Sequence, residues 1–82
     1  MASILLVEDD RSIVSSLTEF LTREGFSVQS APGQSGALSA LEHEHFDLVL
    51  LDVSLADGNG FAVCSAIKSE YRIPVIFLTA SG

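Results

Sequence analysis

Short apolar runs alternate with helix-like stripes along the whole chain, and this alternation limits the fold more than any other feature. Residues 4–7, 47–51 and 74–78 are mostly apolar, which is typical of strands buried on both faces. Phe26 and Val28 alternate with polar residues and predict a short, partly exposed strand. Between these strands, apolar residues recur at helical spacing. The order β-α-β-α-β-α-β predicts an α/β domain with a parallel sheet.

Composition predicts one compact domain over residues 1–82 and excludes several functions. The net charge of −7 argues against nonspecific nucleic-acid binding and against an anionic membrane surface. No apolar run approaches the roughly 20 residues that a transmembrane helix needs, and no basic signal-peptide region begins the chain. We therefore expect a cytoplasmic protein without a membrane partner. Cys64 is expected in the core, and His43 and His45 at a solvated helix end rather than at a metal.

Acidic residues stand directly after the predicted strands. Glu8, Asp9 and Asp10 follow the first strand, Asp52 follows the third, and Thr79 follows the fourth. In open α/β sheets, ligands bind outside the carboxyl ends of the strands, so neighbouring strands would bring these side chains together. Carboxylates that converge repel one another unless a cation lies among them. Oxygen ligands in small number suit Mg2+.

Structural roles compete with this interpretation for some of these residues. Asp10 is expected to be the N-cap of the first helix, because its side chain can accept the first backbone N–H groups. Glu8 and Asp9, taken alone, could merely complement the helix dipole. Asp52 is different, because an uncompensated charge at the end of a buried strand is costly. Together the three carboxylates of Glu8, Asp9 and Asp52 favour a cation site.

The segments at residues 4–10 (ILLVEDD), 47–52 (DLVLLD) and 74–80 (PVIFLTA) resemble the receiver domain of two-component response regulators, bacterial in most cases. The resemblance covers the whole chain. It implies a flavodoxin-like, doubly wound parallel sheet with strand order 2-1-3-4. It also implies that residues 1–82 are the N-terminal portion of such a domain, with the fifth βα unit missing.

The resemblance assigns roles to individual residues. It implies that Asp52 is the phosphoacceptor, which takes a phosphoryl group from a sensor histidine kinase. Asp9 would be a direct Mg2+ ligand, Glu8 would act through a metal-bound water, and Ser54 would offer its backbone carbonyl. Thr79 would be the switch hydroxyl that bonds the phosphoryl group. The domain would then be a signalling switch, not an enzyme, and would control an output that is commonly transcription.

Departures from the family pattern carry further expectations. Lys68 lies on the third predicted helix and cannot replace the lysine with which the family contacts the phosphoryl group, so we expect weak or no phosphorylation of this chain. Right-handed crossovers predict the first helix on one face of the sheet and the others opposite. The fourth strand would be an apolar edge, which favours self-association or element swapping. DNA binding would require an effector domain outside these residues.

Two other functions remain open from the residues alone. An aspartyl-phosphate phosphohydrolase also uses a strand-end Asp nucleophile with Mg2+. Such enzymes usually place a second Asp two residues later, where this chain has Ser54. A flavodoxin-like electron carrier would need a phosphate-binding loop rich in Ser and Thr after the first strand, and that loop is acidic here.

Overall fold

The computed structural model describes residues 2–52 and 60–78. Strands and helices alternate along these residues as the apolar pattern predicts. The elements are β1 (Ser3–Val7), α1 (Arg11–Arg23), β2 (Ser27–Ala31), α2 (Gln34–His43), β3 (Leu48–Asp52), α3 (Gly60–Ala66), a π-helical segment (Ile67–Tyr71) and β4 (Val75–Leu78).

The four strands form one parallel sheet in the order β2-β1-β3-β4. This order confirms the predicted fold class and the strand order 2-1-3-4. The central strands β1 and β3 are buried along almost their whole length, because helices cover both of their faces. Their register pairs Val7 with Leu51, so the residues that follow the two strands emerge side by side.

Alternate residues of the central strands build two separate apolar layers. Leu5 and Val49 belong to the layer beneath α2 and α3, together with Val63 and Ile67. The other layer contains Ile4, Leu6 and Leu50 and packs against α1 through Val14, Leu17 and Leu21. The first helix therefore lies on one face and the other helices on the opposite face, as the right-handed crossovers predict.

Both ends of α1 are capped, and the sequence analysis predicted the N-cap. Asp10 is the N-cap, and its Oδ1 accepts from the backbone N–H groups of Ser12 and Ile13 at 2.9 and 3.3 Å. At the other end, Gly25 has a φ of 96°, a left-handed conformation that favours glycine. The Phe26 N–H donates to the Leu21 carbonyl, which completes a Schellman motif and brings the chain into β2.

The second strand differs from its prediction. The alternation at Phe26 and Val28 indicates a strand there, whereas β2 begins at Ser27 and continues through Ala31. Its polar residues Gln29 and Ser30 are exposed. Because β2 is an edge strand, its position is determined mainly by backbone pairing with β1, and apolar alternation is not required.

The last helix ends in an irregular turn before β4. A π-helical segment follows α3, and Arg72 then adopts a left-handed φ of 54°. The Arg72 N–H donates to the Ile67 carbonyl at 2.9 Å and closes the turn. This turn reverses the chain within a few residues, so that β4 can begin beside β3.

The fourth strand lies at the edge of the described sheet and exposes apolar side chains. Ile76 is 52% exposed and Phe77 is 37% exposed. The ring centroids of Phe77 and Phe61 are 5.4 Å apart. Phe61 lies on α3 and is 63% exposed. Strand β4 therefore presents the apolar edge that the sequence predicts.

None of the helices within residues 2–52 and 60–78 combines the length and apolar character that crossing a membrane requires.

Candidate functional site

The register of β1 and β3 places three carboxylates at one edge of the sheet. Glu8 directly follows β1 and Asp52 ends β3, and both are only 3% exposed. Asp9 is the next residue of the loop and is exposed. One carboxylate oxygen from each residue lies within 4.8 Å of the other two. We call Glu8, Asp9 and Asp52 the carboxylate cluster.

Glu8 is held in place by the first turn of the chain after β1. Its backbone N–H donates to the Ala31 carbonyl at 3.0 Å, which extends the pairing of β1 and β2 by one bond. Its Oε2 accepts from the backbone N–H groups of Asp9 and Asp10 at 2.9 and 3.2 Å. The side chain is therefore oriented by backbone donors before any ligand binds.

Burial raises the pKa of Glu8 from 4.5 to about 7. The backbone N–H of Asp10 acts in the opposite direction and lowers this pKa. Side-chain hydrogen bonds with Asp52 and Asp9, together with the charge of Asp52, raise it again. At neutral pH without a cation, Glu8 is thus divided between its neutral and ionised forms, which is the response expected of crowded carboxylates.

The carboxylate cluster fits a small divalent cation. Ligand oxygens on opposite sides of an octahedral Mg2+ are about 4.2 Å apart, since each lies about 2.1 Å from the ion. The oxygens of the cluster already lie within 4.8 Å of one another, so small side-chain adjustments are sufficient. Within residues 2–52 and 60–78, this is the one group of three or more acidic, His or Cys side chains that close together.

Asp10 does not join the carboxylate cluster. Its carboxylate caps α1, which confirms the structural role predicted for it and separates it from its two acidic neighbours. The distinction could be predicted because an N-cap residue turns its side chain back toward the following N–H groups.

A groove beside the carboxylate cluster contains a residue that the sequence analysis did not single out. It has a volume of about 590 Å³, and Glu8 and Asp9 are among the residues that line it. Arg11, Ser15 and Ser30 provide its other polar side chains. We call it the Arg11 groove. Arg11 could have been found from its place two residues after Asp9, in the first turn of a helix that begins at the site.

Two predicted site residues, Ser54 and Thr79, lie outside the described residues. Their roles as a carbonyl ligand and as the switch hydroxyl therefore remain predictions. Lys68 is described and lies in the π-helical segment that precedes β4. That segment precedes the amino end of β4, whereas the carboxylate cluster is at the carboxyl ends of the strands, so Lys68 lies toward the opposite end of the sheet.

The two histidines and the cysteine occupy the places predicted for them. His43 ends α2 with its Nδ1 2.7 Å from the Ser39 carbonyl oxygen, and His45 Nε2 lies 3.4 Å from Asp47 Oδ1. Both histidines are exposed, and neither belongs to the carboxylate cluster. Cys64 is buried in the layer beneath α2 and α3.

Comparison with known proteins agrees with this geometry. Residues 4–82 match the model of the response regulator receiver domain. The transcriptional regulatory protein CpxR of Escherichia coli is 44% identical over 82 residues, which is all of this chain and 35% of CpxR. The chain spans about a third of the length of the curated relatives it matches. These similarities do not favour a phosphohydrolase or a flavodoxin-like electron carrier.

Two solved structures with the same fold are a receiver domain and a response regulator. The non-phosphorylated HemR receiver domain from Leptospira biflexa has a TM-score of 0.92 and 39% identity, covering 99% of this chain and 66% of that one. The response regulator TrrA from Thermotoga maritima, in complex with Mg(2+)-BeF, has a TM-score of 0.93 and 31% identity, covering 100% and 72%. With its strand order and its acidic residues at the carboxyl edge of the sheet, the chain belongs to the response regulator receiver domain family.

Proposed function

We propose that Asp52 accepts a phosphoryl group from a phosphohistidine of a sensor histidine kinase. The carboxylate cluster is the observation that carries this proposal, because it presents a buried Asp beside two further acidic side chains. Receiver domains of response regulators are signalling domains, and TrrA was solved with Mg(2+)-BeF. The place of Asp52 at the end of a rigid central strand keeps its carboxylate in a fixed position for the reaction.

We assign Mg2+ to the carboxylate cluster, with Asp9 and Asp52 as direct ligands, Glu8 acting through a water, and the Ser54 carbonyl as a further ligand. When bound, the ion neutralises charge that develops on the phosphoryl oxygens. The chain itself holds the three carboxylates together despite their mutual repulsion. It does so because the strand register and the two backbone N–H bonds to Glu8 fix their positions.

The phosphoryl transfer forms one bond and breaks one bond, and no protein group other than Asp52 and the donor histidine takes part in them. An oxygen of the ionised Asp52 carboxylate bonds to phosphorus, and the bond from phosphorus to the donor's imidazole nitrogen breaks. The nitrogen keeps the electron pair of that bond, and the ring leaves as neutral imidazole because its other nitrogen carries a proton. The product is an acyl phosphate on Asp52, and phosphoryl transfer of this kind depends mostly on positioning and charge neutralisation.

The new dianion would act as the signal. We propose that Thr79 moves to bond it and that nearby loops repack, which changes the surface offered to an output. Transcriptional control would require an effector domain outside residues 1–82, and DNA contacts would belong to that domain. We expect the protein in the cytoplasm, where the kinase domains of such systems present their phosphohistidine.

The direct test uses a small acyl phosphate. The chain is incubated with acetyl phosphate and Mg2+, and its intact mass is followed for the addition of one phosphoryl group. We expect uptake by the parent, however slow, and none by Asp52→Asn. Asp47→Asn is a matched control, because Asp47 is an exposed carboxylate at the opposite edge of the sheet. Labelling of Asp52→Asn at the parent rate would refute the assignment.

We also propose that the β4 edge of this chain pairs with a second copy. Within the described sheet, β4 pairs with β3 on one side only, and Ile76 and Phe77 are exposed there. An exposed apolar edge strand is a template for another strand. Sedimentation velocity over a concentration series should show a dimer that Ile76→Lys weakens. A parent chain that stays monomeric at tens of micromolar would exclude this pairing.

A further inference from the structure

The cations of this chain are distributed unevenly around the sheet. The chain has four Arg and Lys residues, and all four lie within the described residues. Arg23 ends α1, and Lys68 and Arg72 lie just before β4, which places these three toward the amino ends of the strands. Arg11 begins α1 at the carboxyl edge, where it lines the Arg11 groove with Glu8 and Asp9.

The stability of the fold does not account for Arg11. Among residues 2–52 and 60–78, it takes part in neither the ion pair of Arg23 with Glu19 nor the contact of His45 with Asp47. Its side chain is exposed. It also stands in the first turn of α1, where the helix dipole disfavours a positive charge. A cation in this position weakens the helix slightly, so helix stability does not explain it.

An anionic phosphodonor meets an unfavourable field at this site. The carboxylate cluster carries up to three negative charges, a divalent cation offsets two of them, and the whole chain has a net charge of −7. Acetyl phosphate is itself a dianion near neutral pH. Charges that line a cleft change the local concentration of a charged ligand and its association rate. Arg11 is the one Arg or Lys of this chain in a position to attract the donor.

We infer that Arg11 attracts the anionic phosphodonor into the Arg11 groove, which shares Glu8 and Asp9 with the carboxylate cluster although Asp52 does not line it, and that Asp52 then receives the phosphoryl group. This inference rests on the proposed function of Asp52. With acetyl phosphate, an Asp52 oxygen bonds to phosphorus, the bond from phosphorus to the acetyl oxygen breaks, and acetate leaves with the electron pair. The guanidinium takes no part in these bonds. It attracts the donor and orients it beside the carboxylate cluster, with the hydroxyls of Ser15 and Ser30 lining the same groove.

If Arg11 attracts the donor, replacing it should weaken the binding of the phosphodonor and strengthen the binding of Mg2+. Replacing Arg11 by Gln should slow phosphorylation by acetyl phosphate about three- to tenfold, chiefly through a higher KM, because a local attraction for a dianion is lost. The same replacement should tighten Mg2+ binding about twofold to fivefold, because a positive charge near the metal ligands is removed. Simple damage to the site would weaken both ligands together.

A matched control separates the local charge from the net charge. Arg23→Gln removes one positive charge from the same helix, about 18 Å farther along its axis at 1.5 Å per residue. That distance exceeds the Debye length of about 8 Å at physiological ionic strength. Arg23→Gln should therefore change the phosphorylation rate and the Mg2+ affinity by no more than about 1.5-fold. Arg11→Lys keeps the charge and should recover most of the parent rate.

The experiment measures phosphorylation by intact mass at several acetyl phosphate concentrations, at low and high ionic strength, and Mg2+ binding by calorimetry. We expect the difference between the parent and Arg11→Gln to shrink at high ionic strength, and thermal denaturation to show both folded. Equal slowing by Arg11→Gln and Arg23→Gln, or an unchanged rate in Arg11→Gln, would overturn the role of Arg11. A parent chain that takes up no phosphoryl group refutes the proposed function, and this inference falls with it.

Discussion

The raised pKa of Glu8 predicts that the metal-free chain loses stability as the pH rises from 5 to 8. Burial holds the pKa of Glu8 at about 7 in the folded chain, against 4.5 ordinarily. Between these two values the folded state binds more protons than the unfolded state, so the free energy of unfolding falls with rising pH. The stabilisation is fully present below about pH 4.5 and is lost as the pH rises through about 7.

The size of the effect follows from the two pKa values. Each pKa unit corresponds to about 1.4 kcal/mol, so the contribution of Glu8 between pH 5 and pH 8 is about 2–3 kcal/mol. In a domain of this length, each kcal/mol changes Tm by about 4–8 °C. The predicted loss is therefore a large fraction of the stability of a small domain.

Replacing Glu8 by Gln removes the titration and keeps an oxygen for the backbone N–H groups of Asp9 and Asp10. Urea unfolding followed by circular dichroism, with EDTA present, gives the free energy of unfolding at each pH. Between pH 5 and pH 8, we expect the free energy of unfolding of Glu8→Gln to fall by about 2–3 kcal/mol less than that of the parent. Glu19→Gln makes the same chemical change at an exposed position on α1 and should keep the parent slope. A parent slope retained by Glu8→Gln would show that the pKa argument is wrong.

Four further results can be expected. Chelating Mg2+ should lower Tm more at pH 8 than at pH 6 in thermal scans, because protons compete with the ion for Glu8. Asp10→Ala removes the N-cap bonds of α1 and should cost about 1 kcal/mol in urea unfolding, whereas Asp10→Asn should cost less. Leu5→Ala empties a fully buried position and should cost about 2–5 kcal/mol, so a loss below 1 kcal/mol would contradict the packing described. Gly25→Ala should destabilise the chain by about 1 kcal/mol and Arg72→Gly should stabilise it by a smaller amount, since both positions have a left-handed φ.

Local patterns were sufficient for the central parts of the fold. The apolar runs that became β1 and β3 are buried on both faces, so hydrophobicity alone marks them. The pattern was a poorer guide at β2, where an edge strand needs only backbone pairing and its polar residues Gln29 and Ser30 carry no apolar signal. The π-helical segment before Arg72 was also not predicted, because its geometry depends on how α3 joins β4.

The amino-acid sequence by itself determined the order of strands and helices, the N-cap of α1 and the identity of the acidic residues at the strand ends. These features depend on neighbours a few positions away, through periodicity, backbone conformation and short-range hydrogen bonds. The convergence of Glu8 and Asp52, 44 positions apart, was predicted from their places at strand ends, but only the tertiary structure decided how deeply both are buried and that their oxygens lie within 4.8 Å of one another. The raised pKa of Glu8 follows from that packing, because desolvation and charge proximity depend on distances in space rather than along the chain.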